Sequence, residues 1–161
     1  MLANPAYGWT VQITGQAHVV DGDTITIGAV RIRIGAIDAC ERSQHGLKNG
    51  EPWACGVEAA AAMRSLLRGN KVRCVGFDRD RYDRLVARCV AGGRDIGQEM
   101  VALGMAEVVT RWLPGRHPID VTAYRAAEAR AQSLRLGIWS ADVGHPGDFR
   151  RSRARRSVQQ R

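Results

Sequence analysis

Val20-Asp21-Gly22-Asp23-Thr24 and, further along, Arg31-Ile32-Arg33-Ile34-Gly35-Ala36-Ile37-Asp38-Ala39-Cys40-Glu41 bring carboxylates and guanidinium groups onto two strand-like runs that can pair as a hairpin. Carboxylate oxygens hold a hard divalent cation, and the donor fork of an arginine clamps a phosphate. Side by side, the two sets can do the chemistry of phosphodiester cleavage. Asp23 and Asp38 are the candidate metal ligands; with a backbone carbonyl they make an open site with room for water and a phosphate oxygen. An EF-hand is excluded, because the twelfth residue counted from Asp21 is Ile32 rather than Glu. Glu41 lies past the end of its strand and can reach a water near the cation as a general base. Arg33 alternates away from the apolar side of its strand. Arg84 follows the polar turn Asp80-Arg81-Tyr82-Asp83, and these two are the candidate phosphate clamps. Singly, each residue also has a plain structural role. Asp-Gly-Asp is a common hairpin turn, Asp38 can cap a turn, Glu41 can be a solvated loop acid, Arg33 can cover apolar surface, and Arg84 can pair with Asp83 or Asp80. The joint pattern is what points to a site.

These residues need elements to hold them. Residues 10–20 alternate weakly and read as a strand. Asp21-Gly22-Asp23 is a turn signal, and Thr24-Ile25-Thr26-Ile27 is β-branched throughout before Gly28 turns the chain. Val30 to Ile37 alternates, with Val30, Ile32 and Ile34 on one face and Arg31 and Arg33 on the other. Residues 41–56 read as a polar loop. An alanine-rich helix follows over residues 57–68, with Ala59, Met63, Leu66 and Leu67 as its buried stripe, ending at Gly69-Asn70. Residues 71–77 and 84–90 form a second hairpin about the polar turn. Asp95 caps a short helix that runs to Leu103 and stops at Gly104, and residues 107–110 are extended. Pro118 opens a last helix to Leu136, with Tyr124, Ala127, Ala131 and Leu134 facing inward. Strands in this order, with a helix inserted after the third, predict an α+β fold: a five-stranded Greek-key β-barrel of the OB type with three helices.

The chain has 161 residues, enough for one domain with a sizeable core, and 45% of them are apolar. No apolar run approaches a membrane span, and the first twenty residues show neither the basic start nor the apolar stretch of a signal peptide. The net charge is +8, but six of the 24 basic residues lie in 149–161, leaving 18 against 16 acids elsewhere. The expected division is an N-terminal extension (1–14), a folded domain (15–140) and a basic, disordered tail (141–161) of the kind that adheres to polyanions. The four cysteines, Cys40, Cys55, Cys74 and Cys89, contain no Cys-x-x-Cys pair and the histidines are scattered, which argues against zinc. An even count suggests two disulfides and favours a periplasmic or secreted protein. Of the possible pairings, Cys74–Cys89 with Cys40–Cys55 is preferred, the first lying across the hairpin that turns near Arg81. Four buried thiols in a reducing compartment are the alternative.

Asp-Gly-Asp-Thr, the Arg31–Glu41 run, Asp80-Arg81-Tyr82-Asp83-Arg84 and Gly137-Ile138-Trp139 together resemble the staphylococcal nuclease (thermonuclease) family, in the same order over about residues 15–140. The resemblance implies a Ca²⁺-dependent nuclease acting on DNA and RNA and leaving 3′-phosphate and 5′-hydroxyl ends. It further implies that Asp23, Asp38 and the main-chain carbonyl of Ala39 bind calcium and that Glu41 is the general base. Arg33 and Arg84 would stabilise the reacting phosphate, with Asp21 shaping the site beside them. Tyr82, Trp112 and Arg81 match substrate-contacting positions, the aromatics suited to stacking on a base. A monomer is expected. Three departures stand out. Cys40 replaces the usual proline before the glutamate, and a Cys40–Cys55 disulfide could stiffen the loop in its place. Ala39 replaces a frequent threonine. Asp83 replaces the usual glycine before Arg84; aspartate tolerates positive φ, but its charge could draw Arg84 away from phosphate. The rival reading is a non-catalytic nuclease-like or OB-fold module that only binds nucleic acid. A plain single-strand binder would carry more aromatics than the 6% found here.

Overall fold

A computed structural model describes residues 10–159, with side chains described through Ser152. The N-terminal residues 1–9 and the side chains of Arg153, Arg155, Arg156 and Arg161 lie outside the described part, and with them most of the expected extension and much of the basic tail.

The chain opens with β1 (Val11–Gly15), β2 (Ala17–Val19), β3 (Thr24–Ile27), β4 (Val30–Ile34) and β5 (Ile37–Ala39). A small hairpin, β6 (Gly46–Lys48) and β7 (Glu51–Trp53), leads into α1 (Cys55–Leu67). Then come β8 (Val72–Arg79), β9 (Leu85–Ala91), β10 (Arg94–Asp95), α2 (Ile96–Ala102), β11 (Ala106–Val108) and α3 (Val121–Ser133). A 3₁₀ turn at Gly137–Ser140 precedes α4 (Pro146–Gln159). The main sheet runs β1-β8-β9-β4-β3-β2, with β10 added beside β9. This order puts β1 and β2 at opposite edges, although only Gln16 separates them in sequence. In a flat sheet, five strand spacings would hold those edges on the order of 24 Å apart, whereas two residues reach about 7 Å. The sheet must therefore curl back on itself. Gly15 marks the approach, since a Cβ there would stand 2.7 Å from Ile27 Cγ2.

Inside the curl lie Ile25, Ile27, Ile32 and Ile34 from the first hairpin and Cys74, Leu85, Ala87 and Cys89 from the second, with Met63 and Met100 from the helices. Ile32 and Ile34 are buried as the alternation predicts. The fold is thus mixed α+β with a curled sheet, but its count of elements differs from the expected five strands and three helices: eleven short strands and four helices occur among the described residues. Residues 11–14, assigned to an extension, pair with β8 as β1. Residues 146–159, expected to be disordered, form α4.

Other boundaries shift for local reasons. The run from Val30 to Ile37 is broken at Ala36, whose φ of 64° turns the chain out of the main sheet, and β5 pairs with β11 instead. The third helix starts three residues later than Pro118 because Asp120 caps it, accepting from the Ala123 N–H at 3.0 Å. It also ends at Ser133, and Arg135 follows with φ 52°. Leu134 therefore leaves the buried stripe and is 56% exposed, not inward as its spacing suggested.

Both disulfides have the preferred pairing, Cys40–Cys55 and Cys74–Cys89. Cys74 and Cys89 face each other in the β8–β9 register. Cys40–Cys55 ties the end of β5 to the start of α1, and Ile138 packs against it with Trp53, Trp139 and Val143 alongside. Ile138 and Trp139 therefore belong to a small second core built around the Cys40–Cys55 disulfide.

Candidate active site

The turn at Asp21-Gly22-Asp23, the outer face of β4 and the end of β5 meet at one edge of the curled sheet. Gly22 allows this: a Cβ there would stand 2.7 Å from the Cβ atoms of Ala39 and Ala59. Asp23 and Asp38 are almost wholly buried, at 4% and 2% exposure. Between them lies Arg33, with Nη1 2.6 Å from Asp23 Oδ1 and Nη2 2.9 Å from Asp38 Oδ1. The Ala39 N–H donates to Asp23 Oδ2 at 3.2 Å. Register places Thr24 opposite Arg33; its hydroxyl donates to Asp23 Oδ1 at 2.9 Å and accepts from Arg84 Nη1 at 3.4 Å. Because β4 and β9 run parallel, with Arg33 level with Val86, Arg84 arrives on the same side as Arg33.

Arg84 is steered by Asp80, which accepts from Nε at 2.7 Å and from the Arg84 N–H at 3.0 Å. The backbone and side-chain donors of Arg84 together hold the Asp80 carboxyl below the ordinary range, against the effect of burial. Asp83 does take a left-handed φ of 59°, but its carboxylate pairs with Arg79 at 2.9 Å rather than with Arg84. The charge expected to pull Arg84 aside is directed elsewhere.

Glu41 stands at the rim on a constrained loop. Its N–H donates to Gln44 Oε1 at 3.1 Å and its carbonyl accepts from the Gln44 N–H at 2.7 Å. Gln44, only 1% exposed, also donates through Nε2 to the Gly144 carbonyl at 2.6 Å. From below, Gly56 in the first turn of α1 lies so close that a Cβ would fall 1.8 Å from the Glu41 carbonyl oxygen. Gly56→Ala must therefore push the Glu41 loop outward. It is expected to cost at least tenfold in activity, about 1.4 kcal/mol in the barrier, while the protein still melts cooperatively; kcat beside a thermal melt checks both halves.

Of the expected substrate contacts, Tyr82 is 62% exposed on the β8–β9 turn, with the guanidinium carbons of Arg81 and Arg84 4.8 Å and 5.4 Å from its ring centroid. Trp112 is 74% exposed on the loop after β11, with Arg111 over its ring at 5.0 Å. The structure brings Tyr82 and Arg81 beside Arg84, whereas Trp112 makes its described ring contact with Arg111.

A family model described as staphylococcal nuclease homologue matches residues 31–141. The chain belongs to the staphylococcal nuclease homologue family. The matched stretch includes Arg33, Asp38, Glu41 and Arg84, while Asp21 and Asp23 precede it. The chain is 35% identical over 136 residues to the succinoglycan biosynthesis protein ExoI of Rhizobium meliloti (strain 1021), covering 83% of this chain and 68% of the relative. It is 30% identical over 151 residues to a probable endonuclease lcl3 of Botryotinia fuckeliana (strain B05.10), covering 89% and 55%. A probable endonuclease LCL3 of Colletotrichum graminicola (strain M1.001 / M2 / FGSC 10212) is 33% identical over 141 residues, covering 85% and 49%. The chain thus spans about half the length of these endonuclease-named relatives. The family description names a nuclease, and two of these relatives carry the name of an endonuclease. No helix among the described residues is long and apolar enough to cross a membrane.

In this nuclease-family site, sequence reasoning missed three residues: Thr24, which links Arg84 to Asp23; Gln44, which sets the Glu41 loop; and Arg150 of α4. Arg150 Nη1 and Nη2 lie 3.0 and 2.8 Å from the two Asp38 oxygens, and Nη1 lies 2.7 Å from Glu41 Oε1. Among the described residues, no three acidic, histidine or cysteine side chains converge as a ready-made metal cage. The donors do suit a hard cation of open coordination, since they are carboxylate oxygens, and a guanidinium already sits on two of the acids as a stand-in cation.

The acids are coupled. Burial and the charge of Asp23 raise the Asp21 carboxyl to about 6. Burial also disfavours charge on Asp23, but Arg33, the Ala39 N–H and the Thr24 hydroxyl outweigh it and hold that carboxyl below its ordinary value. Between pH 3.8 and about 6 the folded chain keeps a proton on Asp21 that the unfolded chain has released. Stability of the cation-free protein is therefore expected to fall as pH rises through that window and to level off above it. Asp21→Asn should flatten the slope, with a higher Tm than wild type at about pH 8 and little difference at about pH 4. Parallel Tm profiles for the two proteins would refute it.

Proposed function

We propose that this chain is a Ca²⁺-dependent nuclease that hydrolyses phosphodiester bonds of DNA and RNA, leaving 3′-phosphate and 5′-hydroxyl ends. One observation carries the reading. An unbroken line of contacts runs Arg84–Thr24–Asp23–Arg33–Asp38–Arg150–Glu41, so the acids, both clamp arginines and the candidate base share one rim. Burial and counter-ions have fixed Asp23, Asp38 and Arg33 before substrate arrives, which is the condition for electrostatic preorganisation.

Asp23, Asp38 and the Ala39 carbonyl would hold the calcium ion, which when bound supplies positive charge to polarise a phosphate oxygen. Glu41 takes a proton from water as the water oxygen bonds to phosphorus. The P–O5′ bond breaks and the 5′-oxygen leaves as a hydroxyl, protonated from solvent. Arg33 and Arg84 face the charge that grows on the phosphoryl oxygens. Arg33 is suited to this because Asp23 and Asp38, against the effect of burial, raise its affinity for its proton and keep it cationic. Tyr82, with Arg81 beside it, offers an exposed ring to a base of the substrate, and Trp112 a second. Counting β1 and β2 as one strand bent at Gln16, the path of the main sheet is compatible with the five strands of an OB barrel. The two disulfides fit an oxidising compartment.

The test is cleavage of fluorescent DNA and RNA oligonucleotides by the full chain, with Ca²⁺ and with EDTA, followed by end-group analysis. Cleavage that EDTA abolishes, with 3′-phosphate ends, is the expected result. Binding without cleavage in Ca²⁺ would replace this reading with the non-catalytic one.

A further inference from the structure

Helix α4 reaches the site from far along the chain, and the approach is built rather than incidental. Asp142 and Leu47 exchange backbone hydrogen bonds in both directions, at 2.9 and 2.7 Å. Gln44 Nε2 then holds the Gly144 carbonyl at 2.6 Å, and His145 Nδ1 meets Glu107 at 3.0 Å, Glu107 lying opposite Asp38 in the β5–β11 register. These anchors fix the start of α4, and one turn further on Arg150 comes down on the acids. Its guanidinium takes both oxygens of Asp38 and one of Glu41. The neighbouring Arg151 turns to Asp148 on its own helix.

We propose that Arg150 is a built-in competitor for the divalent cation: α4 seats its guanidinium on Asp38 and Glu41, and the cation loads only by displacing it. The inference rests on the Ca²⁺ reading above. Asp38 has two carboxylate oxygens and both are engaged in a bidentate pair, the strongest form of charge-assisted hydrogen bond. With Arg150 in place, the guanidinium and a cation cannot hold the same two oxygens. The apparent cation affinity is then the intrinsic affinity reduced by the fraction of molecules with α4 undocked. In the docked state Arg150 supplies the positive charge that keeps Asp38, Asp23 and Glu41 from facing one another across Arg33 alone. Arg150 is accordingly a residue that sets cation affinity, not one that touches substrate.

The experiment is calorimetric titration of Ca²⁺ into the full chain as wild type, Arg150→Ala, Arg150→Gln and Arg151→Ala, each first shown to melt cooperatively. Both Arg150 variants are expected to bind Ca²⁺ at least about tenfold more tightly than wild type, and Arg151→Ala to bind as wild type does. In wild type, Ca²⁺ should also speed tryptic cleavage after Arg150 and Arg151. Equal affinity in wild type and the Arg150 variants, or weaker binding in the variants, overturns the competition and leaves the Ca²⁺ reading standing. Failure of every protein to take up Ca²⁺ overturns both.

Discussion

Glu41→Gln is expected to fold and melt as the wild type does and to lose about 10²–10⁴ in kcat, the range for removing a general base. The substitution is chosen for what it preserves. The loop that carries Glu41 is set by its backbone, through Gln44 on both sides of the peptide, the Cys40–Cys55 disulfide and the close passage of Gly56. None of these contacts involves the Glu41 side chain. That side chain is 27% exposed and its described partner is Arg150, from which a glutamine oxygen can still accept a hydrogen bond. What glutamine lacks is a basic oxygen able to take the proton of water. A fall in kcat at saturating Ca²⁺ with unchanged Tm would assign the loss to proton transfer. Turnover within a few-fold of wild type would remove Glu41 from the base role and leave the site needing another acceptor.

The parts of this site that were legible in the sequence are those fixed by short-range rules. Asp23 immediately precedes β3 and Arg33 lies on β4, the next strand of the hairpin, so alternation and turn chemistry place them together, and the same rules put Asp38 just past the end of β4. The disulfides were legible because Cys74 and Cys89 are symmetric about a recognisable turn. Other features depend on contacts that no local rule encodes. The β6–β7 hairpin sits inside a stretch rich in polar residues and glycine that reads as loop, and only its bridge from Leu47 to Asp142 gives it a fixed place. Ala36 breaks a strand whose alternation continues through it, since a single left-handed residue leaves the hydrophobic pattern unchanged. Asp80 rather than Asp83 holds Arg84 because the turn folds the earlier carboxylate back onto the backbone N–H groups of Tyr82 and Arg84. Arg150 is the extreme case. Composition describes the tail as a basic segment, and composition carries no information about which arginine meets which acid more than a hundred residues earlier.

Arg33 supports a second large effect, on the fold itself. Its side chain is 19% exposed and it is the cation shared by two almost fully buried carboxylates. Arg33→Met keeps much of the aliphatic volume and leaves Asp23 without its guanidinium partner and Asp38 with Arg150 alone. Removing one member of a buried ion pair costs about 3–5 kcal/mol, because the remaining charge stays desolvated. The cation-free variant is therefore expected to lose stability of that order in urea at about pH 8. The pH dependence gives the cause its signature. In wild type the Asp23 carboxyl is held low, so its contribution is present above the unfolded value of 3.8 and is lost as pH falls through the folded value. In Arg33→Met the main lowering influence is gone and burial remains, so the carboxyl titrates upward and the variant's deficit should shrink as the pH is brought down towards 5. Saturating Ca²⁺ should shrink it also at about pH 8, since a cation bound by the same oxygens replaces the missing charge and binds only the folded state. A deficit below about 1 kcal/mol, or one that neither acid nor Ca²⁺ relieves, would mean that Asp23 and Asp38 do not depend on Arg33 for their charge, and the electrostatic account of the site would fail with it.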